Sequence, residues 1–323
     1  MPATLSLEQK IERIATLKKE RNAIILSHFY TRAEVQGVAD YVGDSLALAI
    51  EAKRSTAPVL LFAGVHFMAE TAKLLSPDKR VLIPTLEAGC SLADSCNVEE
   101  LKAFREAHPE YLVVSYVNTS VDVKCYTDIC CTSSNALKVI NSIDPSQPIL
   151  FLPDRNLGGY IKRMTGRENI RLWDGFCHVH EAFDNEVLEK IRTVMPDTEI
   201  VVHPECREEV ARVANYVGST AGIIDYCLKS DCQRFIVVTE QGILSELERL
   251  APHKKFMSLD ITSLEDCNID TKNRRQRCAV CEYMKMVSLD NIIAALENMS
   301  PCVELDERTI EMAHGCIDKM LEL

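Results

Sequence analysis

The apolar positions of this chain fall into two alternating patterns. Short unbroken runs such as "AIILSHF", "VLLFAG" and "RVLIP" read as buried strands. Between them, stretches such as "ADYVGDSLALAIEAK" and "HFMAETAKLL" carry apolar residues at helical spacing. The first element is a helix: Ser6 and Gln9 form a capping box, and Leu7, Ile11, Ile14 and Leu17 mark one face. Strands that alternate with helices predict an α/β fold with parallel sheets covered by helices. The last two amphipathic segments, "SLDNIIAALEN" and "DERTIEMAHGCIDKMLEL", read as covering helices.

The pattern then recurs. "AIILSHFYTRAEVQGVADYVGDSLALAIEA", "YLVVSYVNTSVDVKCYTDICCTSSNALKVI" and "TEIVVHPECREEVARVANYVGSTAGIIDYC" align as strand, polar cluster, and a small hydroxyl-bearing trio opening a helix. His28 precedes Ser45, Tyr116 precedes Ser133 and His203 precedes Thr220, each by 17 positions. Second strands follow in "VLLFAG", "PILFLPD" and "RFIVVTEQG", and third strands in "RVLIP", "IRLW" and "KKFMSL". Ser45 and Ser133 lie 88 positions apart, far beyond a solenoid repeat. The expectation is three similar αβα units with parallel sheets, arranged with pseudo-threefold symmetry around a central cavity. Their bounds are 1–90, 91–177 and 178–284, the third unit including a C-terminal Cys loop, with helices in 285–323 covering the first unit.

Composition narrows the chemistry. The 323 residues carry a net charge of −12 and no long basic block. That argues against nucleic-acid binding, which needs clustered Lys and Arg. No run approaches ~20 consecutive apolar residues, so no membrane span is expected, and the charged N-terminus does not read as a signal peptide. The expected compartment is the reducing cytoplasm, where 14 Cys argue for metal binding or catalysis, with most of them packing as small apolar residues.

The repeat sorts the cysteines. Cys90 follows the third strand of the first unit and Cys177 that of the second, 87 positions later. The third unit offers Cys267, Cys278 and Cys281, and the spacing leaves all three open. Three converging thiolates with a free fourth position make a catalytic metal site, suited to zinc, copper(I) or an iron–sulfur cluster. The trios "GDS", "TSS" and "GST" read singly as N-caps, and together as a cradle for an anionic substrate at helix N-termini. "SHFY", "SYVNT" and "HPEC" add His28, Tyr30, Tyr116, Asn118, His203 and Glu205 at strand ends, a stock of proton donors and acceptors. "DICC" reads as structural, and His178 and His180 flank Cys177 at what reads as a strand end, with a supporting role behind that ligand and no role equally open.

The segments "SHFYTRAEVQGVADYVGDSLALA", "FMAETAKLLSPDKRVLIPTLEAGCSLAD", "VSYVNTSVDVKCYTDICCTSSNA", "FLPDRNLG", "HPEC", "VGST" and "CEYMK" together resemble the quinolinate synthase family over nearly the whole chain, in order. The resemblance implies three αβα domains around a cavity and a [4Fe–4S] cluster on three Cys. It implies condensation of iminoaspartate with dihydroxyacetone phosphate to quinolinate, phosphate and water in de novo NAD synthesis, and contact with the enzyme that supplies iminoaspartate. Its ligands map onto Cys90, Cys177 and Cys281, the last because "CEYM" matches the family pattern. Its catalytic positions map onto Tyr30, Tyr116, His203 and Glu205, and its substrate-binding positions onto His28, Ser45, Asn118, Ser133, Ser219 and Thr220. One departure stands out: where some members carry a further Cys ahead of the C-terminal pair, this chain has Arg275, which removes a disulfide switch there. A zinc hydrolase or lyase, or a non-catalytic iron–sulfur sensor, would use the same three thiols.

Overall fold

Each repeated apolar run folds as the first strand of its own sheet. The protein is seen here as a computed structural model that describes residues 5–259 and 279–323. The first sheet holds β1 (Ala23–His28), β2 (Tyr41–Gly43), β3 (Val59–Ala63) and β4 (Arg80–Leu82). The second holds β5 (Leu112–Tyr116), β6 (Ile129–Cys131), β7 (Ile149–Leu152) and β8 (Ile170–Leu172). The third holds β9 (Glu199–Val202), β10 (Tyr216–Val217), β11 (Arg234–Val238) and β12 (Lys255–Ser258). Strand orders are β2-β1-β3-β4, β6-β5-β7-β8 and β10-β9-β11-β12, so the three sheets share one topology. Their pairings are all parallel, except that β13 (Cys302–Val303) joins β4 antiparallel at the edge of the first sheet.

Continuous apolar runs suit strands buried on both faces. Along β3, Leu60 and Phe62 enter one core cluster while Val59, Leu61 and Ala63 enter another. The third sheet divides likewise, with Ile200 and Val202 on one side and Val201 on the other.

A further device repeats where the chain turns into the short edge strand. Asp40 Oδ2 accepts the Ile25 amide at 2.7 Å, Asp128 Oδ2 the Val113 amide at 2.8 Å, and Asn215 Oδ1 the Ile200 amide at 2.9 Å. Each of these residues returns its own N–H to the carbonyl of the same partner.

Helix Leu7–Arg21, with its capping box formed, packs against helix Leu289–Asn298. Helix Glu307–Glu322 packs against β6, helix Val121–Lys124 and helix His66–Leu75, and so bridges the first and second sheets. Two local expectations need correction. "ADYVGDSLALAIEAK" divides into β2 and a helix that starts only at Ser45, because Tyr41–Gly43 pairs with β1. "TSS" does not open a helix: the helix begins at Ala136, after Asn135 folds its Oδ1 back onto the Thr132 amide at 2.8 Å. Among the described residues no helix is long and apolar enough to cross a membrane. Cys267, Arg275 and Cys278 lie outside the described residues.

Candidate active site

In a sheet of this order, a crevice opens where the chain leaves the first strand one way and the third the other. His28 ends β1, Tyr116 ends β5 and His203 follows β9. All three face one cavity. That cavity is also lined by Tyr30, Ser45, Cys90, Asn118, Ser133, Cys177, Glu205, Thr220 and Cys281. Of the described residues mapped from the family onto the site, Ser219 alone does not line it. Its hydroxyl accepts the Gly222 amide at 3.1 Å, which is plain N-capping.

Glu205 is the hub. The Tyr116 hydroxyl donates to Glu205 Oε1 at 2.6 Å. His180 Nδ1 lies 3.1 Å from Oε2, an ion-pair distance without hydrogen-bond alignment, and His203 Nδ1 lies 3.8 Å from Oε1. Burial pushes the Glu205 carboxyl upward, but His180, His203 and the Tyr116 hydroxyl together outweigh it and hold the group well below the usual carboxylate range.

Burial also acts on His28 and His203, two imidazoles that face the cavity. Burial first, and the neighbouring His203, lower His28 to about 3. Burial first lowers His203 to about 3 against the pull of Glu205. His28 Nδ1 accepts the Tyr30 amide at 3.1 Å, and His203 Nδ1 accepts the Glu205 amide at 3.4 Å, the same two-residue reach in two units. Each neutral ring therefore carries its proton on Nε2, and His203 Nε2 donates to Ser133 Oγ at 3.2 Å. Tyr30 contacts Thr220 Oγ1 at 2.8 Å and Thr239 Oγ1 at 2.7 Å, and burial raises its pKa, so it stays a phenol. These contacts run between units: first to third through Tyr30, second to third through Tyr116 and His203.

The three cysteines share one local setting. Cys90, Cys177 and Cys281 are each the extended N-cap residue of a four-residue helix, Ser91–Asp94, His178–Glu181 and Glu282–Lys285, and none of the three side chains caps its helix. The free sulfur is therefore available to the cavity. All twelve described cysteines are unbridged. Burial pushes Cys90 up to about 12, Cys281 up to about 11 and Cys177 well above its ordinary value, and Cys177 also feels the charge of Cys90 and Cys281. Thiols so placed ionise when a metal takes the proton's place. Three soft donors lining one cavity fit a thiolate-ligated metal centre.

Several residues here had no settled role in the sequence. His180, on the helical turn after Cys177, sets Nε2 2.8 Å from Thr239 Oγ1, and its ring lies 4.9 Å from that of His203, tilted by 33°. Its sulfur neighbour Cys177, a His180 ring nitrogen and a Glu205 oxygen lie within 4.8 Å of one another. Asp44 accepts the Ala47 amide at 2.9 Å and the Ser134 hydroxyl at 2.6 Å, which ties the first trio to the second. Glu240 accepts the Cys281 amide at 3.1 Å and pairs with Lys285 at 2.9 Å, bracing the third thiol against the end of β11.

Comparison with known proteins agrees with this geometry. A family model described as quinolinate synthetase A protein matches residues 12–322. The chain is 48% identical over 321 residues to a quinolinate synthase of Chlorobaculum tepidum, covering 99% of this chain and 96% of the relative. It is 46% identical over 310 residues to a quinolinate synthase of a Synechocystis species, covering 96% of this chain and 94% of the relative. The chain belongs to the quinolinate synthetase A family.

Proposed function

We propose that this enzyme condenses iminoaspartate with dihydroxyacetone phosphate, yielding quinolinate, phosphate and two waters, in the cytoplasmic synthesis of NAD. The observation that carries the reading is the matched placement of Cys90, Cys177 and Cys281, each at the N-cap of a short helix and on one cavity with Glu205. A [4Fe–4S] cluster on these three thiolates would supply a Lewis acid with an open coordination position. The division into units at 1–90, 91–177 and 178–284 belongs to the same reading, with one thiol drawn from each.

The chain's own groups divide the remaining work. His28 and His203 present Nε2–H, and Tyr30 presents a phenol, so this wall donates to oxygens that gain negative charge. Glu205 is ionised and accepts. Its base role in enolisation begins when substrate displaces the Tyr116 hydroxyl, which then donates to the same intermediate. Ser45, Asn118, Ser133 and Thr220 offer hydroxyl and amide contacts to the phosphate and carboxylates, while Ser219 holds the helix that carries Thr220. The cavity wall also includes Val65, Phe67 and Met68, whose apolar surface excludes water and strengthens these contacts.

The test is anaerobic incubation with both substrates, reading out quinolinate. Cys90→Ser, Cys177→Ser and Cys281→Ser should each abolish the broad visible absorption and the product, while Cys267→Ser and Cys278→Ser leave both intact. Cluster loss in the Cys267 variant and retention in the Cys281 variant would reassign the third ligand. A zinc hydrolase or lyase is the second reading, favoured by the close Cys177, His180 and Glu205 trio. Zinc without iron after anaerobic purification would favour it.

A further inference from the structure

Lys124 is fully buried, a rare and costly place for an ammonium. Its Nζ donates to the Val117 carbonyl at 3.0 Å, to the Thr119 carbonyl and, at 3.4 Å, to Thr119 Oγ1. The two carbonyls flank Asn118. The nearby carboxylate, Glu70, is already engaged by the Val121 amide at 3.0 Å and by His66 at 3.4 Å. The lysine's hydrogen bonds therefore go to the loop that carries Asn118.

The same arrangement occurs 88 positions earlier. Gln36 stands where Lys124 stands in the repeat, and Tyr30 where Asn118 stands. Gln36 Nε2 donates to the Phe29 carbonyl at 2.8 Å and the Thr31 carbonyl at 3.0 Å, the two that flank Tyr30. It also reaches the Gly242 carbonyl at 3.1 Å, fastening the loop to the third unit. Neither Gln36 nor Lys124 lines the cavity, whereas Tyr30 and Asn118 both do. Two different side chains thus make the same pair of bonds beneath two site residues. Packing alone does not require that, since an apolar residue would fill either position without desolvating a charge or an amide.

We propose that Gln36 and Lys124 are positioning residues that clamp the loops presenting Tyr30 and Asn118 to the substrate. The clamp rests on the proposed function only in taking those two residues as substrate contacts. Its action is to pin two carbonyls one residue to either side, so that the residue between them is fixed in place before substrate arrives. Preorganisation of this kind is where displacement by ~1 Å costs on the order of 10²-fold in rate.

The internal repeat supplies the control. In the cluster-loaded enzyme, Lys124→Met should lower kcat/KM by roughly 10²-fold, with cluster absorption and thermal midpoint little changed. Lys124→Gln, which installs the first unit's solution, should recover to within about tenfold of the parent. Gln36→Met should repeat the loss through Tyr30, and it carries the test if Lys124→Met does not fold. Amide hydrogen exchange of residues 28–31 and 116–119 reads the clamp without substrate: exchange should quicken in each Met variant and slow again in Lys124→Gln. Unchanged exchange in both Met variants, or a Gln variant no better than Met, overturns the clamp. A parent enzyme that exchanges as expected but forms no quinolinate overturns the proposed reaction instead.

Discussion

At the scale of single residues, the site is a set of protonation states written by burial. Glu205 is held below the usual carboxylate range by His180, His203 and the Tyr116 phenol, while burial lowers His28 and His203. Glu205→Gln should keep the cluster spectrum and lower turnover by about 10²–10⁴-fold, the span of a lost acid–base group, measured as quinolinate formed. Full activity would remove Glu205 from the base role. Acid stability follows from the same groups. His28 and His203 titrate near 3 in the fold against 6.5 in the unfolded chain, so between those values the unfolded chain holds protons that the fold does not. Stability of the cluster-free protein should therefore be level above pH 6.5 and fall with acid below it, read from urea midpoints across pH; midpoints that hold constant down to pH 4 would contradict this.

At the scale of elements, the central strands were legible because a buried parallel strand is an unbroken apolar run, as in "AIILSH" and "VLLFA". The edge strands were not. Tyr41–Gly43 and Tyr216–Val217 are too short for any period, and they pair only because their neighbours present a free edge. Eleven of the site residues could be read from strand ends and the repeat, since both place side chains at the crevice, whereas Cys281 was separated from Cys267 and Cys278 only by the family resemblance. The role of His180 could not be read, because a His three residues beyond a Cys takes its direction from a helical turn too short to leave a pattern. Glu240 is hidden for another reason: its partners, the Cys281 amide and Lys285, are distant in sequence. The Asp40, Asp128 and Asn215 tie makes an element-level prediction. Asp128→Ala strands the buried Val113 amide and should cost about 1–3 kcal/mol in urea unfolding. Asp128→Asn, the third unit's own choice, should cost clearly less. Equal losses would mean that the Arg105 contact at 2.9 Å, rather than the strand tie, sets the energy.

At the scale of the whole molecule, the units do not stand apart. One core cluster runs from the first sheet into the second and takes in Ala313, Cys316, Ile317 and Met320 of the last helix. A chain cut after residue 299 would lose β13 and that helix together, uncovering both the β4 edge and the outer side of β6. Such a truncation should fail to give a cooperative thermal transition by circular dichroism; a sharp transition near the parent's would show that the C-terminal cover is dispensable.

The antiparallel pairing of Val303 with Val81 has a consequence for the newborn polypeptide. During synthesis the first layer emerges early, yet its outermost hydrogen-bonding rim stays open until the ribosome has delivered nearly everything else. On the proposed function, iron delivery would wait for the same moment, because Cys281 arrives only shortly before that rim is sealed. Insertion of a cluster would then follow translation, with the β4 rim unpaired in the interval.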